Sequence, residues 1–398
     1  MSLSAVSHPA TRNRVNSRWV ATHFATAMGI GVLFVPQALG PGTIGISAFL
    51  VMVVLCIPLS YLNHKTLSGL IISGGTGGGS VATIKSMAGQ KASLLYAALL
   101  FISSFSICMI NFIALVAAIS QSVPPEYTDI ARIAAAIGIG LVIYLFSAQG
   151  HGRIVSLTKY IAVPLSLVLL FLSCLLIPKW DWQLVSAPSE LHLKEIITFI
   201  PIIIFAMNFS PCVSGYIESS MRDSNNNKTV CEQSASRTLL ASCSAIAVTV
   251  MFFSFSVSMS LNSTLLDSAD NNANSISLVA QLMGGGWFNV VGFFIVAAAS
   301  FGALMGTVIG VKDGLKDSPL SKKVDEKGLM VLVTVALVGI GILNPNIIDL
   351  IKMISGPAVI AVGMLFPAIV MIKNRHYQLI YFVAIGISLL TLAVGLLM

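Results

Sequence analysis

The sequence predicts an all-α membrane protein with eleven transmembrane helices. Ten of them form two five-helix halves of opposite orientation, one is extra, and helices one and six are interrupted. Three observations lead there. Of 398 residues, 56% are hydrophobic and only 9% are charged, where a soluble domain carries about 25%. The few charges lie between uncharged stretches long enough to cross a bilayer, which takes about 20 residues. The first and sixth spans carry glycine, serine and proline at mid-depth. A water-facing surface cannot be built from this composition, so a soluble enzyme, a nucleic-acid binder and a disordered chain are all excluded.

Taken in order, the spans lie near 19–39, 44–62, 93–121, 131–148, 157–177, 196–217, 238–261, 288–311, 329–343, 347–372 and 378–397. Pro36 and the Gly40-Pro41-Gly42 turn divide the first uncharged stretch, 19–64, into two helices. The stretch 66–84 is set aside as a span, because residues 73–80 are all Gly, Ser or Thr. That run has no Gly-Lys-Ser/Thr ending and reads as a flexible connection, not a phosphate loop. The first span is full length and lacks a small-residue cleavage site, so it reads as a helix that stays, not a signal peptide. The six cysteines lie within spans or in the loop after span six, and no disulfide framework is expected. Metal-ligand spacing and a nucleophile–base pair are both lacking, so neither metal nor cofactor is expected.

Lys and Arg are enriched in cytoplasmic loops. With a cytoplasmic N-terminus, 18 of the 22 basic residues fall inside, and only Arg132, Lys179, Lys194 and Lys352 fall toward the outside. The C-terminus is then external, and the whole chain is one membrane domain. Its first repeat runs over about 19–177, its second over about 196–372, and the extra helix over about 378–397.

In lipid, non-helical backbone is tolerated only where it lines a cavity or is buried in protein. Span one reads T-A-M-G-I-G-V-L-F-V-P with Gly29 and Gly31 at mid-depth, and span six reads I-P-I-I-I-F-A-M-N-F-S-P-C with Asn208, Ser210 and Pro211 there. Ser210 before Pro211 is the pattern of a fresh helix start, a serine cap followed by proline. Gly and Pro are common in membrane helices as packing and kink residues. Breaks at corresponding positions of two inverted halves are instead a transporter signature. A broken helix leaves N–H groups free where the second piece starts and carbonyls free where the first ends. The starts near Gly31-Val32 and Ser210-Pro211 suit a carboxylate. The carbonyls of Ala25 to Met28 and Phe205 to Asn208 suit an ammonium or a cation. An α-amino acid with a neutral side chain carries both charges at that separation. The expected binding residues are Thr26, Ala27, Gly29, Ile30, Gly31, Phe205, Ala206, Asn208, Phe209 and Ser210.

Ser103, Ser104, Ser106 and Asn111 of span three offer groups for a substrate hydroxyl, with Ser103 and Ser106 taken as the binding pair. Membrane serines also bond to their own helix or to neighbouring helices. Ionisable side chains within a membrane are functional candidates by default. His23, Asp349 and Lys352 are therefore coupling candidates, with Ser300 and Thr307 of span eight beside them. Asp349 and Lys352, three apart, share a helical face and also suit a structural pair.

These patterns resemble the hydroxy/aromatic amino acid permeases of bacteria, and most closely their serine/threonine branch. The resemblance rests on T-A-x-G-x-G-x-L-F-x-P in span one and I-P-x-x-x-F-A leading to N-x-S-P in span six. Asn344-Pro345-Asn346 with Ser355-Gly356-Pro357, and Gly306, Gly310 and Asp313-Gly314, extend it to about residue 370. It implies an inner-membrane protein of the amino acid–polyamine–organocation superfamily, with a leucine-transporter-type five-plus-five fold and proton-coupled uptake. Two positions depart from the branch: Phe209 stands where it usually has His, and Gly302 where it usually has Lys. A lysine there substitutes for the sodium of sodium-coupled relatives, so both the coupling ion and the exact substrate stay open. Phe209 would also narrow or reshape a side-chain pocket.

The function expected is import of a small neutral amino acid, serine or threonine, by proton symport with alternating access. Tryptophan or tyrosine transport and sodium coupling are the alternatives, and a passive channel is the alternative of another class. One chain suffices for such a site; its partners are the amino acid and the bilayer.

Overall fold

The computed structural model describes residues 15–75, 79–147, 151–186, 193–261, 272–316 and 325–396. Among them there is no strand. Helices α1 (Ser17–Ala27) and α2 (Ile30–Leu39) are two pieces of one bent element. A single turn, α3 (Pro41–Ile44), leads into α4 (Ile46–Gly74). There follow α5 (Ser80–Ala88), α6 (Gln90–Ser120), α7 (Thr128–Ser147), α8 (His151–Leu176) and the short α9 (Gln183–Ser186). A second bent pair is α10 (Leu193–Ala206) with α11 (Ser210–Asp223). The chain continues through α12 (Lys228–Ser260), α13 (Ser275–Leu282), α14 (Trp287–Lys316), α15 (Glu326–Leu343), α16 (Ile347–Lys373) and α17 (Leu379–Leu396).

Six helices (α4, α6, α7 with its preceding turn, α12, α14 and α16) are each long and apolar enough to cross a membrane. The two bent pairs pass the same test as units, and α8, α15 and α17 contain shorter apolar helices. Several starts are set by side-chain oxygens that accept the first free N–H groups. Asn16 accepts from Trp19 N, Asn227 from Val230 N, Asn274 from Ile276 and Ser277 N, and Asp325 from Gly328 N. On α7, Ile130, Ile133, Ile137, Leu141 and Leu145 are all exposed. Spaced three or four apart, they form an apolar stripe that suits lipid and not water.

Long helix pairs make the body: α6 lies against α14, α7 against α15, and α4 against α12, while α8 packs on α14 and α16 on α6. At the breaks, α1 packs on α8, α12 and α11, whereas α10 packs on α16, α4 and α2. The outer pieces follow suit, with α2 on α12 and α11 on α4. A Lys65–Glu232 ion pair at 3.0 Å, with Ser236 Oγ 2.7 Å from the same ammonium, ties α4 to α12.

Between α12 and α15 a polar clasp fixes the segment leading into α13. Asn272 Nδ2 donates to Asn344 Oδ1 and to the Pro345 carbonyl at 2.8 Å each, and its Oδ1 accepts from Ile347 N at 2.7 Å. Gln37 of α2 donates to the Ala273 carbonyl at 2.8 Å.

Some predicted boundaries are corrected. The second span was expected to end near residue 62, but α4 continues to Gly74, which places Asn63, His64 and Lys65 inside it. The continuation is held by contacts to other helices: Asn63 Nδ2 to Ser210 Oγ, His64 Nε2 to Phe209 N and Lys65 Nζ to Glu232. Of the glycine-rich run, residues 76–78 lie outside the described residues; Gly306, Gly310 and Asp313-Gly314 fall within α14.

Candidate functional site

The first break bends the chain by 65°. Helix α1 stops at Ala27, and Gly29 is extended, with φ −110° and ψ −168°. Met28 N donates to the Phe24 carbonyl and Gly29 N to the Ala27 carbonyl, at 3.0 and 2.8 Å. The carbonyls of Ala25 and Thr26 therefore lose their usual helical partners, and the N–H groups of Ile30 and Gly31 have none among the described residues. Free donors and free acceptors stand within two residues of each other.

Both glycines are required by close approach. A Cβ at Gly29 would stand 2.9 Å from Cβ of Ala303 on α14, and one at Gly31 only 2.7 Å from Cε1 of Phe205 on α10. Gly31 is thus where the two broken elements touch.

The second break bends by 55°. Ser210 was expected to cap the new helix; instead it is the first helical residue, and Asn208 caps it, with Oδ1 accepting from Ser210 N at 3.1 Å. Cys212 N donates to the Phe209 carbonyl at 3.0 Å, and Pro211 has no N–H to satisfy. The remaining donor, Phe209 N–H, is taken by Nε2 of His64 at 3.1 Å. Asn63 Nδ2 reaches Ser210 Oγ at 3.4 Å. Two consecutive polar residues of α4 therefore hold this break, and sequence reasoning missed both. A polar pair inside an apolar run was the available signal.

The hydrogen bonds fix the histidine tautomers. His64 Nδ1 lies 2.7 Å from the Ser60 carbonyl and must carry the proton, leaving Nε2 as the acceptor for Phe209. His23 Nδ1 lies 2.9 Å from Ser242 Oγ, whose own hydrogen goes to the Thr238 carbonyl at 2.8 Å. His23 therefore donates from Nδ1, and its buried Nε2 has no partner among the described residues. The Phe209 ring lies between the imidazoles, 3.5 Å from that of His64 and 4.5 Å from that of His23.

A cavity of about 610 Å³ is centred on the two breaks. Thr26, Ala27, Gly29, Ile30, Gly31, Phe205, Ala206, Asn208, Ser210, Ser103 and Thr307 all line it. Ser104, Asn111, Tyr96, Gly302, Val359 and Val362 also line it. It extends along α1 and α11 to Thr22, Ser214 and Glu218, and toward Ser80 at the start of α5. Glu218 is the single charged group among the described lining residues. Thr26 Oγ1 spends its hydrogen on the Thr22 carbonyl and lies 2.9 Å from Cys212 Sγ, which joins α1 to α11 across the cavity.

Other expected residues lie elsewhere. Phe209 is fully buried behind the wall, held there by its two stacking partners, which removes the feature that suggested a reshaped aromatic pocket. Ser106 turns its hydroxyl onto the Ser103 carbonyl at 2.9 Å. His23 and Ser300 are buried and are not among the lining residues. Asp349 is exposed, and Lys352 sits over the Phe199 ring, 5.6 Å from its centroid. Those two make no ion pair with each other. Their helix leaves the regular path here, since Ile351–Ser355 is π-helical.

A bundle of apolar helices, two of them broken around one internal, almost uncharged cavity, defines a membrane transporter of the broken-helix class. Known proteins agree along nearly the whole chain. The chain is 26% identical over 402 residues to the threonine/serine transporter TdcC of Edwardsiella piscicida, covering 90% of this chain and 88% of that protein. It is 24% identical to the serine transporter SdaC of Escherichia coli K12, over 89% and 86% of the two chains. It is also 24% identical to the inner membrane transport protein YqeG of Escherichia coli K12, over 88% and 89%. No protein-family model matches.

Among solved structures, the nucleobase-cation-symport-1 family transporter Mhp1 superposes with a TM-score of 0.56 at 10% identity, over 95% of this chain and 89% of that one. A sodium-coupled sialic acid symporter gives 0.53 at 12% identity, over 95% and 88%. At such identities what is shared is the fold. The resemblance to the serine/threonine permease branch, read first from short motifs, thus extends over about 90% of the chain, and it points to transport, not catalysis.

Proposed function

We propose that this chain is a secondary active transporter that imports a small neutral amino acid, serine or threonine, by alternating access. The observation that carries the reading is the first break. Unpaired Ile30 and Gly31 N–H groups stand beside the unpaired Ala25 and Thr26 carbonyls in a cavity with neutral walls. The free donors complement a carboxylate and the free acceptors an ammonium. Near-absence of charge around them favours a neutral side chain. The similarity to TdcC and SdaC, a threonine/serine and a serine transporter, supports the same substrate class.

The membrane arrangement proposed is eleven spans in a bacterial inner membrane, with the N-terminus cytoplasmic and the C-terminus outside. Six apolar helices, two bent pairs and three shorter apolar helices support that number. The five-plus-five repeat is supported by packing. Exchange α1 and α2 for α10 and α11, α4 for α12, α6 for α14, α7 for α15 and α8 for α16. Each pairing given above for these helices then becomes another that is also made: α1 on α8 becomes α10 on α16, and α8 on α14 becomes α16 on α6.

Proton symport is the coupling proposed, with the unpaired Nε2 of His23 as the group that takes the proton. Sodium coupling is the second reading, favoured by Thr307 and free carbonyls meeting at the first break. Uptake by proteoliposomes, with pH and sodium gradients imposed separately on a panel of labelled amino acids, tests both. Serine accumulation driven by the pH gradient is the expected result. Accumulation driven by sodium alone would replace the coupling ion, and a preference for tryptophan would replace the substrate.

A further inference from the structure

We propose that Asn111 of α6 is the residue that reads the side-chain hydroxyl of the substrate. The proposal rests on the amino acid reading above and assigns the part of the site that faces the side chain.

Asn111 is 2% exposed and lines the cavity. Its Nδ2 donates to the Ile107 carbonyl at 2.8 Å. That contact fixes the amide, because the flipped orientation would set two oxygens against each other. The Oδ1 atom is therefore the free end, and among the described residues it has no hydrogen-bond partner. It lies 3.9 Å from where a Cβ of Gly29 would stand, directly across from the first break. A carbonyl oxygen only accepts hydrogen bonds, so the part of an amino acid that pairs with it must bring a donor.

The surrounding groups narrow the choice. Thr307 spends its hydroxyl hydrogen on the carbonyls of Ala303 and Leu304, at 3.0 Å each, and so offers only lone pairs. The carboxylate of a bound amino acid has no donor to give. Its ammonium is matched by the Ala25 and Thr26 carbonyls on the α1 side. A side-chain hydroxyl supplies the single O–H that Asn111 lacks. Alanine would leave Oδ1 buried and unpaired, the situation in which a site rejects an analogue lacking the matching group.

The test is competition against labelled serine uptake in proteoliposomes, comparing serine with alanine and threonine with 2-aminobutyrate. The wild type is expected to favour each hydroxyl-bearing member. In Asn111→Leu, of similar shape without the acceptor, serine should weaken by about tenfold or more while alanine holds or improves. Asn111→Asp keeps an acceptor oxygen and should keep the preference for serine. Asn111→Ala repeats the comparison with the smallest side chain, and ligand-induced thermal shifts in detergent read binding where uptake is too weak. An unchanged serine-to-alanine ratio in the variants overturns the assignment of Asn111 while leaving the amino acid reading intact. Equal weakening of serine and alanine also overturns it, by placing Asn111 on the shared backbone of the ligand. A wild type that binds no amino acid overturns both readings, and this shows in the unmutated protein alone.

Discussion

The two broken helices are alike in sequence logic and unlike in what they leave open. At the first break, Ile30 and Gly31 keep free N–H groups, and Ala25 and Thr26 keep free carbonyls. At the second, three donors are taken: Phe209 N–H by His64, Ser210 N–H by Asn208, and Cys212 N–H by the Phe209 carbonyl. The difference separates two jobs that a sequence pattern merges. An open break binds, because the ligand completes it; a closed break shapes the wall. Both starts were expected to suit a carboxylate, and only the first retains the donors to do so.

The largest expected effect comes from the point where the breaks meet. Gly31→Val would force side-chain atoms into the Phe205 ring and should reduce uptake by about a hundredfold or more, with the protein still inserted. Immunoblots of membranes alongside uptake distinguish this from loss of protein. Near-normal transport would dissolve the contrast, since the first break would then not hold the ligand.

Next is Cys212, which faces the cavity; Cys56, Cys108, Cys231 and Cys243 are buried, and the exposed Cys174 does not line the cavity. A membrane-impermeant thiol reagent applied to the side that opens on Glu218 should block most uptake, and added serine should slow the block several-fold, by about the occupancy it reaches. Cys212→Ser should be resistant. A reagent that inhibits Cys212→Ser equally would place the reactive thiol elsewhere.

A smaller effect tests the closed break. His64→Leu removes the acceptor for a buried N–H and should lower stability by about 1–3 kcal/mol. The readout is the melting temperature in detergent, with His64→Gln recovering part of the loss. Affinity for serine should change less than stability does, because no ligand group is proposed at this position.

The smallest effect contrasts neighbours. Asn208→Ala, which deletes the true cap, should cost about 1 kcal/mol. Ser210→Ala loses only the long contact from Asn63 and should be nearly neutral in the same melting assay. Equal losses would return the capping role to serine.

Much of the fold was legible because its causes are local. Apolar length locates spans, and Gly29, Gly31 and Pro211 mark breaks wherever they fall in a helix. Ten of the twelve expected binding residues line one cavity. What was illegible depends on partners remote in sequence. Phe209 looked like pocket wall, yet it is held behind the wall by His23 and His64, rings from two other helices. Asn63 and His64 looked like the edge of a loop, because their reason for staying helical sits 145 residues away in one case and 147 in the other. Ser210 was misread for a subtler reason: Asn208 offers the same chemistry two positions earlier.

The clasp at Asn272 and Gln37 has a thermodynamic consequence. It ties the ends of α2, α13 and α16 to one another with polar bonds beside the apolar core. Bonds of this kind are exchanged for bonds to water on opening, so each contributes only about 0.5–1.5 kcal/mol net. Four of them together contribute only a few kcal/mol, so the junction of these helix ends is held by bonds that water can replace one at a time.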